Sequence, residues 1–99
     1  MLPNKVKIGG IEYEIREEDG MEMKHDALGQ IFYSKGHIQL EKDMPDDRKE
    51  QILIHEILHG IFYEAGYLEQ EEEMITRVGT VLYQVLKDNR FEFGGKVMT

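Results

Sequence analysis

Alternation of apolar and polar positions dominates the first 40 residues. In VKIGGIEYEIR, apolar side chains at Val6 and Ile8, and then at Ile11, Tyr13 and Ile15, recur every second position on either side of Gly9-Gly10. That is the pattern of two half-buried strands joined by a two-residue turn. Residues 17–27, EEDGMEMKHDA, are mostly polar, carry one glycine and keep no period, so they are expected to form a loop. A second alternating pair follows, with Ile31 and Tyr33 before a turn around Lys35-Gly36 and Ile38 and Leu40 after it. Two hairpins in succession predict a small antiparallel sheet.

After Pro45 the period lengthens to that of a helix. Asp47 followed by Glu50 resembles a capping box. Ile54, Ile57, Leu58, Ile61 and Ala65 then form one apolar stripe that stops at Gly66, which predicts a helix of about 18 residues. Ile75, Val78, Val81, Leu82, Val85 and Leu86 predict a second helix from about 70 to 89. Its Glu-rich start and its Lys87 and Arg90 finish both suit the helix dipole. The short Gly66-Tyr67-Leu68 link makes the two helices an antiparallel hairpin. The closing FEFGGKVMT stands open between a further strand and a frayed end. The expected fold is therefore α+β in one domain spanning 1–99: residues 1–42 form the sheet, 43–66 the first helix and 69–90 the second.

Composition narrows the chemistry. With no cysteine in 99 residues, disulfides, iron–sulfur clusters and thiol nucleophiles are excluded, and any metal must sit on His, Asp or Glu. A formal charge of −8 with twelve scattered Lys and Arg leaves no basic stripe to displace counterions from a phosphate backbone, so a nucleic-acid partner is not expected. The opening MLPNKVKIGG has no apolar signal core, and no apolar run approaches the roughly 20 residues that span a bilayer. No membrane association is expected, and the cytoplasm is the expected location.

One stretch carries specific chemistry. QILIHEILHG, residues 51–60, places His55 and His59 four apart on one helical face, with Glu56 turned about 100° away. Two neutral imidazoles so placed can hold Zn²⁺, and a carboxylate beside them can take the proton from an activated water. A chance match to H-E-x-x-H in a chain this long is on the order of a few in a thousand, and this match falls inside a predicted helix. A third ligand has to come from elsewhere. The metzincin continuation would need Gly at 62 and His at 65, where the chain has Phe62 and Ala65. His25 and His37 read as solvated polar residues. In an antiparallel hairpin turning near residues 67–68, His59 faces the start of the second helix, which offers Glu71, Glu72 and Glu73. Glu72 is the choice, because it lies three, four and seven residues before Ile75, Thr76 and Gly79 while its neighbours splay outward. Tyr33, His37, Tyr63, Tyr67, Arg77 and Tyr83 are candidate donors to a developing oxyanion, and the sequence selects none of them.

HEILHGIFYEAG followed by EEEMITRVGTVLYQVLKDN resembles the small phage and prophage members of the ImmA/IrrE-type metallopeptidases, a branch of the gluzincins. The resemblance covers most of the chain. It implies a minimal zincin-like domain in which His55, His59 and Glu72 hold zinc, Glu56 is the general base and Gly79 is a small-residue contact between the helices. It further implies hydrolysis of a peptide bond in a protein or peptide substrate, a host or phage regulator among the candidates. Two other readings use the same residues. One is a binding or inhibitory module of phage type that keeps the scaffold without turnover. The other takes Glu56 and His59 as the Glu-x-x-His unit of a dimeric di-iron carboxylate protein.

Overall fold

Each alternating run becomes a strand, and both helical runs become helices. The computed structural model describes residues 2–25, 27–93 and 96–97. Strands β1 (Lys5–Ile8) and β2 (Ile11–Glu18) form the first hairpin about Gly9-Gly10, with Ile8 opposite Ile11. Strands β3 (Gly29–Phe32) and β4 (His37–Glu41) form the second, with Ile31 opposite Ile38.

The expectation of a purely antiparallel sheet is overturned. The strand order is β1-β2-β4-β3, and β2 runs parallel to β4, from Glu14 opposite His37 to Glu18 opposite Glu41. The cause lies in the stretch expected to be a loop, which holds the end of β2 and a short helix, α1 (Met21–His25). Met21 is fully buried, and its backbone N–H donates to Glu41 Oε1 at 2.9 Å, while Asp43 N–H donates to Glu41 Oε2 at 3.0 Å. Those backbone donors hold the buried Glu41 carboxyl below its ordinary range. The chain thus crosses the end of the sheet through α1, lays β3 down on the outside, and returns as β4 in the gap. β4 is central and buried at every position, and β3 is the edge.

Helix α2 (Asp46–Glu64) covers one face of the sheet. Ile8, Tyr13, Ile31, Ile38 and Leu40 from the strands meet Leu53 of α2 in one apolar cluster. The predicted stripe on α2 is displaced. Leu53, Glu56, Leu58 and Gly60 are the buried positions, and Ile61 is 44% exposed, because α2 is packed on two sides, by the sheet and by the next helix. The expected capping box is absent as well. Pro45 rather than Asp47 is the N-cap, with no side-chain cap bond, so the helix starts two residues earlier than that box implies and has both Asp46 and Asp47 in its first turn. Glu50 instead accepts from the Tyr83 hydroxyl at 2.8 Å and Lys87 Nζ at 3.2 Å.

At its other end α2 closes in a Schellman motif. Tyr67 N–H donates to the Phe62 carbonyl at 2.8 Å and Gly66 N–H to the Tyr63 carbonyl at 3.0 Å. Gly66 has φ 101°, a conformation that β-carbon sterics deny most residues. The turn sends the chain back as α3 (Glu72–Asp88), which packs chiefly on α2 through fully buried Ile75. Gly79 is the small contact: a β-carbon there would lie 3.7 Å from His55 Cα. Val78 and Val81, expected on the buried stripe of α3, are instead 46% and 60% exposed, since among the described residues nothing packs on that face. The tail forms a strand pair, β5 (Glu92–Phe93) and β6 (Lys96–Val97), apart from the main sheet. Among the described residues no helix is long and apolar enough to cross a membrane.

Candidate metal centre

The helical spacing of four brings the rings of His55 and His59 together on α2, with centroids 4.9 Å apart and planes at 71°. The Schellman turn sets where α3 begins, and its first residue is Glu72. The Glu72 carboxylate reaches across, with Oε1 2.8 Å from His55 Nε2 and Oε2 3.0 Å from His59 Nε2. One ligand atom from each of His55, His59 and Glu72 lies within 4.8 Å of the others. Two imidazole nitrogens and one carboxylate oxygen are the donor set of a three-protein-ligand zinc site, so these residues fit the ion. The neighbouring glutamates go elsewhere: Glu73 pairs with Arg77 at 3.0 Å, and Glu71 is the N-cap of α3.

The loop glutamine Gln70, which carried no periodic or motif signal, orients one of these donors. Its Nε2 donates to the carbonyls of His59 at 3.2 Å and Tyr67 at 3.0 Å, which fixes the amide so that Oε1 points at the His59 ring. His59 Nδ1 lies 2.6 Å from that oxygen and is therefore the N–H donor, leaving Nε2 aimed at Glu72.

Glu56 lies beside the cluster without joining it. Its Oε2 is 4.0 Å from His55 Nε2, and the residue is only 7% exposed, against the sheet side of α2. Burial is the main cause that pushes its carboxyl up to about 7; nearby Glu72 adds to the rise, whereas His59 and the Ile31 backbone N–H oppose it. Close approach of the sheet makes this enclosure possible. A β-carbon on Gly29 would fall 2.5 Å from Ile52 Cγ2 and 3.5 Å from Glu56 Cγ.

Among the other candidate donors, Tyr33 reaches the site. It lines the same recess as His55, Glu56, His59 and Glu72 and stacks on Tyr63 with centroids 4.0 Å apart. Burial holds its hydroxyl above the ordinary value and so protonated. Tyr83 and Arg77 are engaged by Glu50 and Glu73. Tyr67 packs edge-on against Phe62. His37 was expected to be solvated and is buried instead, 4.7 Å from the Phe32 ring and 3.3 Å from Gln39 Nε2, with its pKa lowered mainly by desolvation. His25 ends α1, and its side chain lies outside the described residues.

The recess opens along the free edge of β3. The Leu28 carbonyl accepts from Glu41 N–H at 2.8 Å. That sets Leu28, Gln30 and Phe32 as the hydrogen-bonded positions and turns the N–H and C=O of Gly29 and Ile31 toward the open side. Comparison with protein-family models, curated proteins and solved structures finds no match to this chain.

Proposed function

We propose that this chain is a minimal zincin-like, zinc-dependent peptidase of the ImmA/IrrE kind, with His55, His59 and Glu72 as zinc ligands and Glu56 as general base. The observation that carries the reading is the convergence of three ligand atoms from two helices beside a buried glutamate that is not among them. A site that only held the fold together would have no use for a desolvated carboxylate at that position. Zinc held there supplies a Lewis acid for the scissile carbonyl and lowers the pKa of water.

The chain's own groups do the rest. A substrate peptide adds a strand to the edge of β3, with the N–H and C=O of Gly29 and the C=O of Ile31 offering backbone partners. β4 (His37–Glu41) lies in the middle of the sheet and offers a peptide no free edge. Glu56 accepts a proton from the attacking water and passes it to the departing amide nitrogen. The Tyr33 hydroxyl donates to the carbonyl oxygen as that oxygen gains charge.

The test compares wild type with Glu56→Gln, both zinc-loaded, on a host proteome, reading new peptide ends by mass spectrometry. Ends made by wild type and reduced about 10²- to 10⁴-fold in the variant establish the peptidase. Capture of one partner by both proteins with no cutting by either would make the chain a binding module instead.

A further inference from the structure

Arg48 sits in the first turn of α2, where the positive end of the helix dipole disfavours a cation. The described arginines at 16, 77 and 90 each have a carboxylate within 4.0 Å, at Glu14, Glu73 and Glu92. Arg48 alone among the described arginines has none, in a chain of net charge −8. It also lies on the same face of α2 as the cluster, seven residues and hence about 10 Å along the axis before His55. The groove beside the cluster is lined at one end by His55, Glu56 and Glu72 and at the other by Arg48 and Gln51, next to Ala27 and Leu28 where β3 begins.

A peptide paired antiparallel to β3 runs toward that beginning, so its residues after the scissile bond lie toward Arg48. At about 3.3 Å per extended residue, the span to Arg48 reaches the second or third of them. On the metallopeptidase reading of the cluster, we infer that Arg48 binds a carboxylate of the substrate, two or three residues on the C-terminal side of the cut. The carboxylate is either an Asp or Glu side chain or the substrate's own C-terminus. A guanidinium with no carboxylate partner among the described residues can make the paired N–H bonds that recognise this group.

Short peptides capped by an N-terminal hydroxamate, which chelates zinc and extends residues to the C-terminal side only, test this by calorimetry on the zinc-loaded protein. One probe carries Asp at its second and third residues and an amidated end, and one replaces Asp with Asn. A third carries Asn with a free C-terminal carboxylate, and a fourth carries Lys. Either carboxylate probe should bind roughly tenfold tighter than the amidated Asn probe, and which of the two gains identifies the source. Arg48→Gln should erase the gap while leaving the Asn probe's affinity unchanged, and Arg48→Glu should shift preference to Lys. Equal affinities in wild type, or a gap that survives Arg48→Gln, overturns the inference and leaves the zinc site standing. Protein that takes up no zinc, or zinc-loaded protein that binds none of the hydroxamates, removes the metallopeptidase reading and this inference with it.

Discussion

At the scale of single residues, Glu56 is held in the environment that least suits its charge. An exposed glutamate ionises near 4.5, whereas this one, 7% exposed, does so at about 7. Between those values the unfolded chain has released the proton and the folded chain retains it, so the folded state binds more protons and loses stability as pH rises. The full stability is present below pH 4.5 and is lost on passing through 7, a difference on the order of 3 kcal/mol. In metal-free protein the Tm of wild type should therefore fall from pH 5 to pH 8 relative to that of Glu56→Gln, whose amide cannot ionise. Parallel curves would show that the carboxyl is not desolvated as described. The ligands make a separate prediction. Glu72→Gln should weaken zinc binding far more than Glu71→Gln or Glu73→Gln, because Glu72 alone of the three reaches both imidazoles. Gln70→Ala, which frees the His59 ring while leaving every ligand in place, should cost about 10- to 100-fold in affinity. A chelator competition measures all four, and a Gln70→Ala protein with wild-type affinity would mean that the His59 tautomer is set by something else.

At the scale of elements, what could be read from the chain was whatever repeats locally. Alternation about Gly9-Gly10 and Lys35-Gly36 marked both hairpins, and the 3.6 period from Ile75 to Leu86 phased α3 well enough to select Glu72 among three glutamates. Alternation reports which face a side chain takes and says nothing of which strand lies alongside, so the parallel pairing of β2 with β4 was invisible. The five residues of α1 hide one buried methionine in a polar run, too short for a period to register. Gln70 belongs to a turn, where no period exists. Periodicity likewise cannot say whether a partner covers an apolar face, as Val78 and Val81 show. Two glycines now have reasons that pattern could not supply. Gly66→Ala forces a β-carbon into φ 101° and should cost about 1–2 kcal/mol, or roughly 4–16 °C in Tm for a chain of this size. Gly29→Ala should cost about 1–3 kcal/mol by overpacking, since Ile52 Cγ2 stands 2.5 Å from the new atom. The two should differ in a second readout. Gly29→Ala pushes the edge strand from Glu56 and should lower peptide cutting in folded protein, whereas Gly66→Ala at full folding should cut as wild type does.

At the scale of the whole molecule, the three layers are unequally secured. The sheet and α2 share the cluster from Ile8 to Leu53, with Tyr13 donating to Glu64 at 2.8 Å across their far side. Helix α3 rests chiefly on α2, buries Ile75 and Gly79, and keeps Val78 and Val81 in water. Few buried apolar contacts and a long exposed face are the marks of an element that opens below the global unfolding energy. The candidate metal centre spans this weak layer boundary, with two ligands on α2 and one at the first residue of α3. Without a cation, what joins them there is the contact of Glu72 with the two imidazoles, and the Glu72 side chain is 68% exposed, so screening leaves that contact weak. An ion bound only by the assembled site stabilises the assembled state in proportion to its saturation, by about 4 kcal/mol at a thousandfold excess over Kd. That stabilisation should fall unevenly. In hydrogen exchange followed by mass spectrometry, zinc should slow the amides of α3 and of the 65–71 turn strongly and those of β2 and β4 hardly at all, until the slowest exchange, which needs global unfolding, is reached. Removal of zinc by chelator should reverse the pattern, and Glu72→Gln should abolish the response of α3 at zinc levels that protect wild type. Uniform protection across sheet and helices would mean that α3 is bound into the core as firmly as the strands are, and that the ion acts on the domain as one cooperative unit.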